Sequence, residues 1–338
     1  MKMDWELFME MLRIDSTTGR EREMALFLHE RLSAPRKTLM EVGDGTLNLR
    51  LDWGEPRVCF CSHLDTVPPY LPPVLDGDCI RGRGACDAKG QIFSMYTACR
   101  ELERQGRTGF GLLLLAGEET GSFGAKAYTR DAPGGDLVIV GEPTDNCLAT
   151  ASKGTQAFEV TLTGKACHSG YPQDGISAVD LFVDWVEALR RIPFAVDPEM
   201  GETTWNIGRL TSDNPQNILS PRLSFHLYFR TTAASHAQVA RVMAGLASER
   251  VSVQPLGGDT PLHYTRFDGI PTCTVAFGSD APRLEKFREK ALCGPGSILV
   301  AHTDAESVRT GDLIRAAGQY VDMFRQYTDK RTSDRQES

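Results

Sequence analysis

The residues of this chain best equipped for chemistry are His63 and Asp65 in the run Ser62-His-Leu-Asp-Thr66, then Asp87, the adjacent pair Glu118-Glu119, Glu142 and a late His302. All are donors for hard and borderline metal ions, supplied one or two at a time where apolar runs end. Two histidines and three carboxylates can hold two zinc-type ions if one carboxylate bridges, and a carboxylate left over can act as a base on water. That is the equipment of a hydrolase.

Each residue alone has a plainer reading. His63 beside Asp65 could be a hydrogen-bonded core pair, although a ligating imidazole also has its second nitrogen held by a carboxylate. Asp87, set among Gly82, Gly84 and Gly90, would serve equally as a helix N-cap. A dinucleotide fingerprint fails because Asp87 stands where the third glycine should be, and no phosphate-binding Walker motif occurs. Glu118-Glu119 would elsewhere be a solvated turn. Here the pair ends a run of four leucines, where two uncompensated carboxylates are costly without a cation.

The elements that must position these residues are legible. Trp5, Phe8 and Leu12 recur at helical spacing, and Thr18 with Glu21 reads as a capping box opening a second helix that carries Met24, Phe27, Leu28 and Leu32. The strand 57–61 runs straight into His63, a helix-length segment spans 87–105, the strand 111–116 ends at Glu118-Glu119, and 137–140 ends at Glu142. Alternating strands and helices predict a mostly parallel sheet in a three-layer α/β domain, with ligands at the carboxyl ends of its strands. From Gly154 the texture changes. A strand at 157–162, a helix at 178–189, strands at 203–210 and 222–230, a helix at 235–247 and a strand at 251–253 follow the order β-α-β-β-α-β of a ferredoxin-like α+β unit. The chain then returns to α/β texture, so residues 153–255 are expected as an insertion into a catalytic domain made of 1–152 and 256–338. The polar tail after Asp329 is expected to fray.

A formal charge of −8 with no cluster of Lys and Arg argues against nucleic acid or an anionic membrane as partner and favours a small-molecule substrate. Nine scattered cysteines without a CxxC pair read as reduced thiols, and acids near Met1 stand where a signal peptide needs an apolar run. Both point to the cytoplasm.

Taken together, His63-Leu-Asp65, Gly82-Arg-Gly-Ala-Cys-Asp87-Ala-Lys-Gly90, Ala116-Gly-Glu118-Glu119, Val140-Gly-Glu142-Pro-Thr144 and Gly294-Pro-Gly296 ahead of His302 resemble the M20 family of di-zinc amidohydrolases and peptidases. Within it, the chain is most similar to the acetylornithine deacetylase and succinyl-diaminopimelate desuccinylase branch. The resemblance covers essentially the whole chain. It implies that Asp87 bridges two Zn2+ (or Co2+) ions, one also held by His63 and Glu142, the other by Glu119 and His302. It makes Glu118 the general base and Asp65 the partner of His63. The segment Gly164-Lys-Ala-Cys-His168 matches a family motif whose histidine reaches a partner subunit's active site, which implies a homodimer through the inserted, lid-like domain. Arg230 and Asn217 resemble the family's substrate-carboxylate contacts, and Arg230 could equally be an ordinary strand-end charge.

Departures from the family pattern are Cys86 and Cys167 beside Asp87 and His168, and Ser212-Asp213 where a double glycine is common before Asn217. Cys86 and Cys167 leave a soft third ligand or redox sensitivity open. The expected activity is removal of an acyl group from an N-acyl-L-amino acid, in amino-acid biosynthesis or salvage. The alternative is an M20 dipeptidase, aminopeptidase or carboxypeptidase. A non-catalytic dimeric binding protein would show a lost ligand, and none is missing.

Overall fold

The computed structural model of the chain describes residues 1–43 and 45–334. Its first half contains helices α1 (Trp5–Arg13) and α2 (Arg22–Arg31), strands β1 (Arg36–Gly43), β2 (Thr46–Trp53) and β3 (Val58–His63), and the small strands β4 (Val74–Asp76) and β5 (Cys79–Arg81). Helix α3 (Lys89–Arg104), β6 (Phe110–Leu115), α4 (Phe123–Asp131), β7 (Gly135–Val140) and β8 (Leu148–Ser152) follow. Next come β9 (Gly154–Thr163), α5 (Ala178–Arg190), β10 (Thr204–Thr211), β11 (Arg222–Thr231), α6 (His236–Gly245) and β12 (Val251–Asp259). The chain closes with β13 (Leu262–His263), β14 (Thr272–Val275), β15 (Phe287–Leu292), β16 (Ser307–Arg309) and α7 (Thr310–Asp334).

Two compact units emerge, one of residues 1–150, 264–273 and 279–338, the other of 151–263 and 274–278. The first is built on a six-stranded mixed sheet of order β1-β2-β6-β3-β7-β15. Strands β6, β3, β7 and β15 run parallel, and the β1-β2 hairpin joins antiparallel at β6. Every residue of β3 and β6 is buried, which is why these strands read as unbroken apolar runs rather than alternating ones. Helix α3 packs on β3 and β6 with α7 against it, while α2 and α4 pack on β1 and β2.

The second unit folds as β9-α5-β10-β11-α6-β12, with an antiparallel sheet of order β10-β11-β9-β12. Strand β11 alternates exposed or half-buried with buried residues, the mark of a sheet with one covered face. Its own core gathers Val160, Leu162, Trp185, Phe225, Phe229 and Met243.

Two local expectations change, and one hairpin was not foreseen. The Thr18 and Glu21 capping box does not form, because the Thr18 hydroxyl donates to Asp65 Oδ2 at 2.8 Å and Glu21 turns back to accept the Gly19 N–H. The hairpin β1-β2 went unforeseen although the sequence Asp44-Gly45 between the two strands is a two-residue hairpin signal. Helix α7 runs to Asp334, past the point expected to fray, and residues 335–338 of that tail lie outside the described residues.

Candidate functional site

The order β6-β3-β7 places three strand ends side by side, with His63 closing the middle strand, Glu118-Glu119 just beyond one neighbour and Glu142 just beyond the other. Gly117 makes the turn out of β6 at a φ of +66°, and a Cβ there would sit inside the Phe123 ring. Asp87 arrives on the loop before α3. It is not the N-cap, a place taken by Ala88, and its carboxylate faces the strand ends.

The carboxylate is shared between two imidazoles. Asp87 Oδ1 lies 3.0 Å from His63 Nε2, and Oδ2 lies 3.2 Å from His302 Nε2. His302 Nε2 is also 3.1 Å from the Glu119 carboxylate. Donor atoms of His63, Asp87 and Glu119 all fall within 4.8 Å of one another. The cluster is therefore two histidines around one aspartate, with a second carboxylate on the His302 side. His302 holds a left-handed φ of +62°, a conformation uncommon for a residue with a Cβ and found disproportionately at functional positions.

His63 Nδ1 faces the backbone carbonyl of Asp65 at 2.9 Å and its carboxylate at 3.5 Å. A proton on Nδ1 satisfies that carbonyl; without a cation Nε2 is protonated as well and donates to Asp87, and with one bound the Nε2 lone pair is the ligand. The Asp65 carboxylate accepts the Glu118 N–H at 3.0 Å, the Glu119 N–H at 3.2 Å and the Thr18 hydroxyl. Asp65 thus orients the turn carrying the acid pair as well as the histidine, a second task the sequence did not reveal.

The electrostatics point to missing positive charge. Burial, with Asp280, Glu119 and Asp87 nearby, pushes the Glu118 carboxyl well above the usual range. Burial, with Glu118 and Asp87 nearby, does the same to Glu142. Burial works against the charged form of His63, yet Asp65 and Asp87 hold its pKa well above the usual value. Asp87 and Glu119 push His302 up to about 10. Glu142 Oε1 is buried with no hydrogen-bond partner among the described residues. A buried orphan acceptor beside three further carboxylates and two imidazoles fits divalent cations of the zinc class, which take this mixture of oxygen and nitrogen donors.

His168, Asn217 and Arg230 lie in the second unit. His168 is exposed, its Nδ1 accepts the Gly170 N–H at 3.1 Å, and its strand-like pairing with Ile218 brings it beside the Asn217 segment, whose carbonyl accepts the Ser169 N–H. Asn217 is exposed, and Arg230, one residue before the end of β11, is half-buried with its guanidinium 5.1 Å from the Tyr228 ring centre. The segment with Ser212-Asp213 in place of glycines closes on itself, since Ser212 Oγ bonds Asn214 and Ser220. Neither cysteine stands among the clustered donors. Burial pushes the Cys86 thiol well up and its Sγ faces Ser297 O, while Cys167 donates to Tyr171 O. All nine cysteines are free.

Sequence reasoning missed Glu306 and Arg83, and it took Gly278-Ser279-Asp280 for a further family loop near the substrate without assigning it a role. Glu306 follows His302 by four residues and is fully buried against Arg83, while Asp280 is buried close enough to Glu118 and Glu142 to disfavour their ionisation. Arg83, a charge set between Gly82 and Gly84, is the one of the three that the local sequence flags.

Comparison with known proteins agrees with this geometry. Residues 59–326 match Peptidase family M20/M25/M40. A Schizosaccharomyces pombe "Peptidase M20 domain-containing protein" is 33% identical over 79% of this chain and 68% of its own length. A "Probable carboxypeptidase" of Aspergillus flavus is 31% identical over 92% of this chain and 84% of its own. Among solved structures, a Staphylococcus aureus tripeptidase shares the fold at a TM-score of 0.79 and 18% identity, covering 94% of this chain and 96% of that one. A Bacillus subtilis dinuclear metal binding peptidase of family M20 does so at 0.67 and 13%, covering 94% of each chain. These relatives carry family or peptidase names, so they support the family and leave the deacetylase branch as a separate question. The chain itself belongs to peptidase family M20/M25/M40.

Proposed function

We propose that the chain hydrolyses the amide bond of an N-acyl-L-amino acid, in the manner of an acetylornithine deacetylase, using two divalent cations, zinc or in its place cobalt. The observation that carries this reading is the division of Asp87 between His63 and His302, one oxygen to each. His63, Asp87 and Glu142 would hold one cation, and Asp87, Glu119 and His302 the other. When bound, the cations supply Lewis acidity to the scissile carbonyl and make water easier to deprotonate. Glu118, held by Asp65 through its backbone N–H, takes the proton from the attacking water and returns it to the leaving nitrogen. Burial first and the neighbouring carboxylates second push its carboxyl up, and positive charge entering the site would favour the ionised form that a base needs.

His168 is proposed to donate to the developing oxyanion in the site of a second copy, and Arg230 with Asn217 to hold the substrate carboxylate. This makes the second unit a lid and dimerisation domain of a cytoplasmic enzyme. The carboxypeptidase names of the relatives favour a second reading, release of a C-terminal amino acid from a short peptide. Both readings expel an amino acid that bears a free α-carboxylate. The test is release of free amine from N-acetyl, N-succinyl and dipeptide substrates, each as free acid and as carboxamide, by protein stripped with chelator and reloaded with zinc or cobalt. Faster cleavage of N-acyl amino acids supports the deacylase, faster cleavage of dipeptides the peptidase. No release from any of them overturns both.

A further inference from the structure

We infer that Arg83 and Glu306 form a positioning pair that holds Asp87 in the orientation its two histidines require. Both side chains are almost wholly buried, and Arg83 Nη1 donates to Glu306 Oε2 at 2.6 Å. The other oxygen of Glu306 is surrounded by backbone. It accepts the N–H groups of Gly84 at 2.9 Å, Asp87 at 3.1 Å and Cys86 at 3.3 Å, so the loop that ends in Asp87 is wrapped around one carboxylate oxygen. Arg83 also donates to Pro69 O and Thr303 O, and the Gly82 N–H donates to Glu306 O. The pair therefore ties the segment 82–87 to the segment 302–306, and these segments supply Asp87 and His302.

A buried ion pair is a poor device for stability alone, because desolvating two charges offsets most of their attraction and a packed apolar pair would fill the same space. What an apolar pair could not do is accept three N–H groups converging from one loop. That function has a direct geometric consequence here. The Asp87 N–H is fixed, and with it the direction of a carboxylate that must meet His63 on one side and His302 on the other. Groups that orient ligands in this way usually affect cation affinity or activity by about 10–100-fold when altered.

The inference rests on the proposal that Asp87 is shared by two cations, and the experiment separates the two ideas. Chelator-stripped parent, Glu306→Gln, Glu306→Asp and Leu189→Ala are titrated with cobalt by calorimetry, with kcat and KM measured after reloading. Glu306→Gln keeps an acceptor for the loop but turns an amide N–H2 towards Arg83, donor against donor. Glu306→Asp keeps the charge but is one methylene too short to meet Arg83 and the loop together, and it carries the test if the first variant does not fold. Leu189, buried in the core of the second unit, gives a variant of lowered stability with the pair intact. We expect cobalt affinity to fall about 10–100-fold in both Glu306 variants and to be unchanged in Leu189→Ala, with kcat falling at constant KM. Cobalt affinity in the Glu306 variants equal to that of the parent, or an equal loss in Leu189→Ala, overturns the positioning role while leaving the metal centre standing. A parent that binds no cobalt overturns the metal reading and this inference with it.

Discussion

In the first unit the polar residues at the strand ends touch one another, with Glu118 and Glu119 half-buried and His302, which meets them from another loop, exposed. His63, Asp65 and Asp87 are almost fully covered, and the backbone of one carrier loop binds the carboxylate of another. In the second unit His168 and Asn217 are exposed and are held through the backbone of their own turns, while Arg230 lies over Tyr228. The difference is one of constraint. A buried carboxylate needs a partner, so its residue type and its neighbours restrict each other and even the exposed His302 is fixed by Asp87 and Glu119, whereas His168, exposed and held by its own turn, restricts little.

The largest effect that would break this comparison is expected at Asp87. Asp87→Ala removes the carboxylate that faces both imidazoles, so it should lose more bound metal than His302→Ala or Glu142→Ala, and activity with it. Elemental analysis showing two metals per chain retained in Asp87→Ala would falsify the shared-ligand role. Next in size is the division of labour in the acid pair. Glu118→Gln should keep its metal and lose about 10²–10⁴ in kcat, whereas Glu119→Gln should lose metal too. Equal metal content in the two variants would reverse or merge the roles.

That constraint also explains what was legible in the sequence. The continuous apolar runs of β3, β6 and β7 followed at once by His63, Glu118-Glu119 and Glu142 gave both the sheet and the donors, because a strand buried on both faces has no polar residue to spare before its end. The β-α-β-β-α-β order was legible because β11 along its length and β9 from Gln156 onward alternate between faces. The capping box misled because Thr18 has a tertiary partner, Asp65, 47 residues away, and local spacing cannot report a contact of that kind. Glu306 escaped for the same reason. Its importance lies in three backbone N–H groups some 220 residues earlier in the chain.

For the second unit, the comparison is sharpened by variants whose effects should be smaller and confined to turnover or binding. His168→Ala should reduce kcat by about 10²–10³ and leave metal content unchanged, as expected for the loss of one oxyanion donor. Mixing it with Glu118→Gln under conditions of subunit exchange should restore activity, since a mixed dimer would hold one intact set. Mixed dimers that form but stay inactive would place His168 in its own chain's site or in none. Arg230→Ala should raise KM for free-acid substrates by about tenfold or more, in line with a charge-assisted hydrogen bond worth roughly 1.5–3 kcal/mol. Equal cleavage of acid and carboxamide substrates by the parent enzyme removes the basis for that expectation.

The smallest effect is a matter of sign, and it sets the histidines of the two units against each other. Without cations, burial disfavours the charged form of His63 but its hydrogen bonds to the Asp65 and Asp87 carboxylates outweigh this and hold it well above the usual 6.5, and Asp87 and Glu119 push His302 up to about 10. Burial alone pushes His236 of the second unit below 6.5. A histidine whose folded-state pKa is raised contributes stability fully below pH 6.5 and loses it as pH climbs through the folded value. One whose pKa is lowered contributes above 6.5 and loses that contribution as pH falls. Glu118 and Glu142, also pushed up, act with His63, while Lys89, pushed down to about 7 by burial, acts against it and is removed in Lys89→Met. In chelator-treated Lys89→Met, hydrogen exchange of β3 and β6 should therefore speed up between pH 7 and 8, relative to its intrinsic pH dependence and below the range in which the thiols of Cys59 and Cys61, pushed up by burial, add a loss of their own, while α6 and β11 stay flat. Between pH 6.5 and 5 the protection of α6 and β11 should weaken instead. Cobalt should abolish the alkaline limb, because ligation needs both imidazoles neutral and compensates the acids. An alkaline loss of protection that persists with cobalt bound would mean that the acids and histidines of the first unit titrate independently of any metal, and the contrast between the two units would then owe nothing to a cation site.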